Sequence, residues 1–209
     1  MKVDRPRIFV SGDLPGRSED GRFVLDPLRD IGECRVWPHP RIPTPSELRE
    51  ESSGCEGILC LLTDHIDRSL IEATPTLRVI SSCSVGVDHI DLAAATERGI
   101  HVGNTPGVLT DATADLAFGL LLAVARRLPE ADRFVRSGEW SPERRWDPEM
   151  MLGADLSGAT LGIVGLGAIG CAVARRAAGF GLRVIGWTRS GREVDGVESG
   201  PLDWVLAES

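Results

Sequence analysis

The 209-residue chain has no apolar run long enough to cross a bilayer: the longest, Leu116 to Ala125, falls far short of the roughly 20 residues that a helical span needs. Its amino terminus, MKVDRPRIFV, lacks the apolar stretch and the small-residue cleavage site of a signal peptide, so a cytoplasmic protein is expected. Positive charge is also in short supply. Lysine and arginine number 23 against 31 aspartates and glutamates, and the net charge of -8 repels phosphate backbones and anionic lipid. This argues against nucleic acid and membrane as partners. Cysteine is sparse as well. Cys34, Cys55, Cys60, Cys83 and Cys171 make an odd count, and no two stand at the separation of a zinc ribbon or a redox dithiol. The thiols read as small buried hydrophobes. The four histidines show no helical ligand spacing, so no structural metal is expected. There are no internal repeats or low-complexity tracts. What is present, 42% apolar and 26% charged residues, suits a globular protein with one large or two modest cores.

Short runs rich in β-branched and apolar residues recur at Arg7 to Ser11, Cys34 to Trp37, Gly57 to Leu61, Leu77 to Ser81 and His101 to Gly103. Amphipathic stretches lie between them, opening at Thr44 before Pro45, at Asp67 before Arg68 and at Asp91, the last closing at Gly99. Strand and helix in alternation predict a parallel sheet with helices on its faces. After Asn104-Thr105-Pro106-Gly107 the pattern becomes one long helix, Asp111 to Arg127. It is apolar almost all round its middle and so is expected to be buried on several sides. A second helix starts at Pro129. Ser137 to Ser157 is irregular yet carries Trp140, Trp146, Met150 and Met151, side chains expected to pack on something. A strand at Thr160 to Val164, a helix at Cys171 to Phe180, a strand at Arg183 to Trp187 and a helix from Leu202 follow, giving two strands after Leu152.

The strand at Thr160 runs into Gly165-Leu166-Gly167-Ala168-Ile169-Gly170 and then into an alanine-rich helix, the context that a dinucleotide fingerprint requires. Gly165 allows the tight turn, Gly167 lets the backbone approach a pyrophosphate, and Gly170 lets helix and strand pack closely. The amides of the first helical turn and the helix dipole then face the phosphates. The alternative is a glycine-rich turn without a ligand. NAD-binding versions place an acid roughly 20 residues further on, against the adenosine ribose. Here that place holds Trp187-Thr188-Arg189-Ser190. A guanidinium flanked by hydroxyls suits a 2′-phosphate, so NADP (NADPH) is favoured and NAD is the alternative; a solvated turn arginine is the bland one.

Four segments carry a wider resemblance: Ser84-Val85-Gly86-Val87-Asp88-His89-Ile90-Asp91, the stretch from Asn104 to Asp115, Trp146-Asp147-Pro148, and Gly162 to Gly170. In that order they resemble the D-isomer-specific 2-hydroxyacid dehydrogenases, of the glyoxylate and hydroxypyruvate reductase type, over the chain from about Arg7 onward. The resemblance implies an α/β fold: a flavodoxin-like substrate domain at 1–104, then an incomplete Rossmann cofactor domain, a doubly wound parallel sheet, at 105–209. It implies that the amides of Val85 and Gly86 face a substrate carboxylate and that Leu62 lines the substrate pocket. It sets Thr113 on the nicotinamide side, Leu166, Ala168 and Ile169 at the pyrophosphate turn, and Thr188, Arg189 and Ser190 around the 2′-phosphate. The position of Ala168 is often arginine in relatives, so one side-chain contact to the pyrophosphate is lacking.

Reducing a small 2-keto acid to the 2-hydroxy acid needs a cation on the keto acid, a general acid for the new alkoxide and a carboxylate to tune that acid. In the family these are arginine, histidine and glutamate, and they lie beyond the stretch corresponding to Ser209. No catalytic residue is therefore assigned, His89 and His101 included. The resemblance implies a carboxy-terminally truncated dehydrogenase, homodimeric when whole and inactive as these 209 residues. A non-catalytic dinucleotide-binding or dimerising remnant is the alternative.

Overall fold

Ile8, Phe9 and Val10 are all buried, which makes the first strand an interior strand of a sheet rather than its edge. A computed structural model of the protein describes residues 5–17, 21–144 and 147–209, and in it the chain divides into two units, Met1–Pro106 and Gly107–Ser209.

The first unit runs β1 (Arg7–Val10), α1 (Asp26–Ile31), β2 (Glu33–Val36), α2 (Pro45–Ser52), β3 (Gly57–Cys60), α3 (Arg68–Ala73), β4 (Val79–Ser82), α4 (Leu92–Glu97) and β5 (His101–Gly103). Its five strands are all parallel in the order β2-β1-β3-β4-β5, the flavodoxin-like order. Alternation along the strands divides the faces. Phe9, Ile58, Cys60 and Ile80 point one way and pack with Leu48, Leu70, Ile71, Ala94 and Ala95 from α2, α3 and α4. Ile8 and Val10 point the other way, with Leu25 and Leu28 around α1. Beyond α1 that second face stays partly bare, and an apolar groove of about 440 Å³ runs along Ile8, Leu59 and Val79.

The starts of α2, α3 and α4 are fixed by side chains, as the sequence predicts. Thr44 and Glu47 form a reciprocal capping box, and Asp67 and Asp91 accept from the amides of Leu70 and Ala94. The Glu47 carboxyl is held well below the usual carboxylate range, first by Arg41 and then by Thr44.

The second unit contains α5 (Thr110–Ala125), α6 (Leu128–Arg136), β6 (Thr160–Val164), α7 (Ala168–Ala178), β7 (Arg183–Trp187), β8 (Glu198–Ser199) and α8 (Leu202–Glu208), with a parallel sheet ordered β6-β7-β8. Three expectations need correction. The two-residue strand β8 makes three strands after Leu152 instead of two. Helix α7 begins at Ala168, three residues early, because the glycine loop itself supplies the first turn. Helix α5 is not buried on several sides: Ala114 and Phe118 are its buried residues, while Leu116, Leu120 and Val124 form a stripe 59–77% exposed. In the irregular segment, Met150 and Met151 are half-buried and the Trp140 ring meets Phe134, while Trp146 lies outside the described residues. No described helix is long and apolar enough to cross a membrane.

Candidate functional site

In an open parallel sheet, ligands meet the loops that leave the carboxyl ends of the strands. In the first unit those loops follow β1, β3 and β4. The turn after β3 is organised by the buried Asp64. Its Oδ2 accepts from the Leu61 amide at 2.6 Å and from the Ser11 hydroxyl after β1, and its own amide donates to the Leu61 carbonyl at 3.1 Å. This turn leaves the Leu62 side chain 63% exposed, an apolar group held out by a buried polar knot.

The loop after β4 is pinned through three successive carbonyls. The Ser84 carbonyl accepts from the Thr105 amide (2.9 Å), the Val85 carbonyl from Asn104 Nδ2 (2.8 Å) and the Gly86 carbonyl from Ser84 Oγ (2.6 Å). Across a trans peptide the C=O and N–H point in opposite directions, so pinning the first two carbonyls directs the Val85 and Gly86 amides away from those anchors. Neither amide has an acceptor among the described residues. Two adjacent N–H groups left in this way could donate to an anion, the role that the resemblance implies for Val85 and Gly86. Asn104 and Thr105 escape sequence reasoning because their partners lie about 20 residues away, with no local signal.

Behind the loop sit His89, Ser82 and Cys60. His89 Nε2 lies 3.0 Å from Ser82 Oγ, which lies 2.6 Å from Ser84 Oγ, while Nδ1 is buried without a partner among the described residues. Burial pushes the Cys60 thiol up to about 11. The expectation of buried thiols holds for Cys55 and Cys60 only, since Cys34 and Cys171 are half-buried and Cys83 is exposed. His101 stands beside Val79 at the amino end of β4, roughly 20 Å of extended chain from the loop at its other end.

In the second unit the β6–α7 loop has the geometry of a phosphate cradle. Gly165 adopts φ +104°, its amide donating to the Trp187 carbonyl at 2.8 Å. A Cβ on Gly170 would stand 2.1 Å from the Gly165 carbonyl, which is the close packing expected there. Gly167 has no neighbour within 4 Å of where a Cβ would be, so the loop's outer side is open to a ligand. The amides of residues 166–170 have no acceptor among the described residues, and they crown an eleven-residue helix. Of the side chains, Leu166 is buried in the core and offers the loop its backbone alone, Ala168 is exposed and Ile169 is 38% exposed.

Thr188, Arg189 and Ser190 leave the carboxyl end of β7 beside this loop. Thr188 and Ser190 hydroxyls stand 3.3 Å apart, and the exposed Arg189 has no ion-pair partner among the described residues. Thr113 is exposed on α5, in the turn that Arg176 ties to α7 through Asp111 and Asp115. A further cation was not expected: Arg192 reaches back to the Leu166 carbonyl (2.5 Å) and to Cys171 Sγ (3.0 Å). It brings a positive charge to a loop whose position 168 carries none.

The family model for D-isomer specific 2-hydroxyacid dehydrogenase, catalytic domain, matches residues 17–195. The chain belongs to this family. It is 46% identical to a glyoxylate reductase of Korarchaeum cryptofilum, over 98% of this chain and 60% of that protein. Two solved structures are similar in fold. One is an NADPH-dependent glyoxylate/hydroxypyruvate reductase of Sinorhizobium meliloti in complex with NADP and malonate, with TM-score 0.74 and 35% identity over 94% of this chain and 57% of that one. The other is a D-lactate dehydrogenase of Aquifex aeolicus complexed with NAD and lactic acid, with TM-score 0.79 and 29% identity over 97% of this chain and 58% of that one. The chain thus spans about 60% of the length of the family members it matches.

Proposed function

We propose that these residues supply the substrate-carboxylate loop and the dinucleotide-phosphate loop of a cytoplasmic, NADPH-preferring reductase of small 2-keto acids, glyoxylate or hydroxypyruvate. The first unit is the substrate domain, and the second is the opening part of the cofactor domain. Two bare amides at Val85 and Gly86, with the exposed Leu62 from the neighbouring strand end, suit a small acid whose carboxylate is its main handle. The open cradle at Gly165–Gly170 fits a pyrophosphate, with Thr113 facing the nicotinamide end. Bound there, the cofactor supplies the hydride.

The observation that carries the cofactor reading is the exposed Arg189, without an ion-pair partner among the described residues and set between two hydroxyls, at the strand end where an acid would repel a 2′-phosphate. A charge-assisted contact of this kind is worth about 1.5–3 kcal/mol. In calorimetric titrations the chain should bind NADPH roughly tenfold or more tightly than NADH, and Arg189→Ala should bring the two together. Equal affinities in the unaltered chain would reject the NADPH preference.

The 209 residues alone are expected to bind without turning over. His89 is spent on Ser82 and on burial, and His101 stands at the wrong end of the sheet. Steady reduction of glyoxylate by NADPH with this chain would overturn that expectation. Homodimerisation through the exposed Leu116, Leu120 and Val124 stripe is part of the same proposal for the whole enzyme.

A further inference from the structure

Three links join His89 to the loop that presents the Val85 and Gly86 amides: Nε2 to Ser82 Oγ at 3.0 Å, Ser82 Oγ to Ser84 Oγ at 2.6 Å, and Ser84 Oγ to the Gly86 carbonyl at 2.6 Å. Proton counting gives the chain a direction. A carbonyl only accepts, so the Ser84 hydroxyl proton lies on the last link. The middle link must then use the Ser82 proton, since otherwise two hydroxyl oxygens would face each other at 2.6 Å with no hydrogen between them. Ser82 has no proton left for the imidazole and must accept from it. The first link is therefore Nε2–H donating, and Nδ1 is the unprotonated nitrogen, the buried atom that has no partner. Cys60 Sγ also lies 3.9 Å from Nε2, but the opposite tautomer still fails: it buries an unpaired N–H and leaves either the first or the middle link without a proton.

We infer that His89 is a positioning residue for the carboxylate-binding loop, acting as the terminal donor of a one-way relay, His89 to Ser82 to Ser84 to the Gly86 carbonyl. This rests on the reading that the Val85 and Gly86 amides bind the substrate carboxylate. Asn104 and Thr105 fix the first two peptides of the loop, and the relay, which begins at the carboxyl end of β4, fixes the third. Bonds in series polarise one another in the same sense, so the donor at the far end strengthens the grip on Gly86. The residue touches no substrate. Its task is to hold the loop in shape before the anion arrives, so that its ordering does not have to be paid on binding.

Two measurements on the 209-residue chain test this. In ¹⁵N spectra of histidine-labelled protein, His89 should be the neutral Nε2–H tautomer; finding the proton on Nδ1 would overturn the relay. Glyoxylate titration followed at the Val85 and Gly86 amide signals gives the second. His89→Leu should weaken glyoxylate about fivefold, the worth of one hydrogen bond, with the rest of the spectrum unmoved. His89→Gln, which keeps a donor, should restore most of the loss, and Ser84→Ala should reproduce it. Should His89→Leu fail to fold, Ser84→Ala and the tautomer still decide the matter. If the unaltered chain shows no response at Val85 and Gly86, the carboxylate reading itself fails and the inference falls with it. If it responds and His89→Leu and Ser84→Ala bind as tightly as the unaltered chain, the inference alone is wrong.

Discussion

The two units bury their apolar residues to different extents. In the first, a five-stranded parallel sheet encloses a continuous core beneath α2, α3 and α4, and each of those helices begins at a side-chain cap. In the second, three strands carry a smaller core, and the longest helix of the chain turns Leu116, Leu120 and Val124 outward. None of its helices begins at a side-chain cap. For α7 the uncapped start leaves the amides of residues 166–170, though not that of Gly165, without an acceptor among the described residues, and these are the groups that a phosphate would use. Where α2, α3 and α4 close their first turns with side chains, α7 leaves its own open.

The largest expected effect separates the cores. Phe9→Ala, at a fully buried position of the interior strand β1, should destabilise the first unit by roughly 3–5 kcal/mol, whereas Val124→Ala should change the second by less than about 0.5 kcal/mol. Thermal loss of amide NMR signals from each unit checks both, and a large cost at Val124 would mean that the stripe is already covered in solution.

Next comes Gly170→Ala. The added methyl meets the Gly165 carbonyl, and such overpacking costs roughly 1–3 kcal/mol while distorting the cradle. NADPH titration should show binding lost, and glyoxylate shifts at Val85 and Gly86 should be unchanged. Arg192→Ala is milder: it frees the Leu166 carbonyl and removes a nearby charge, so NADPH and NADH should weaken together, by less than the roughly tenfold that a direct charged hydrogen bond is worth. A loss confined to NADPH would place Arg192 with Arg189 instead.

The smallest effect is in acid. Glu47, Asp67 and Glu97 of the first unit are all held below their ordinary range, by Arg41, by the Leu70 amide and by Arg68 respectively. A depressed carboxyl lends stability above its unfolded value and loses it as pH falls through the folded one. From pH 5 down to pH 3 the first unit should therefore lose thermal stability by more than the second, where Glu143 is the one carboxylate so shifted among the described residues. Equal losses would show that the caps do not set the difference.

Much of this contrast was legible in the sequence, and the remainder for identifiable reasons was not. Thr44, Asp67 and Asp91 announced their helices because a cap is local chemistry, three residues wide. The fingerprint at Gly165–Gly170 was legible because a strand, three glycines and a helix had to occur in one order. Strand β8 was not, since Glu198-Ser199 has neither length nor β-branched alternation, and only pairing with Ile185 and Gly186 makes it a strand. The anchors of the 84–86 loop, Asn104 and Thr105, are set by tertiary closeness that no spacing rule encodes. Arg192 lies outside every motif and is recruited by a carbonyl 26 residues away. The apolar texture of α5 was read as burial on several sides. It is in fact one buried stripe beside an exposed one, a distinction that composition does not make.

The central claim, one anion loop in each unit, is tested most directly by amide NMR of the 209-residue chain with two ligands added in turn. Glyoxylate should move Val85 and Gly86, and NADPH should move residues 165–170 and 188–190. If NADPH left the glycine loop unmoved, or if glyoxylate shifted residues scattered over the surface and spared Val85 and Gly86, the account would be contradicted.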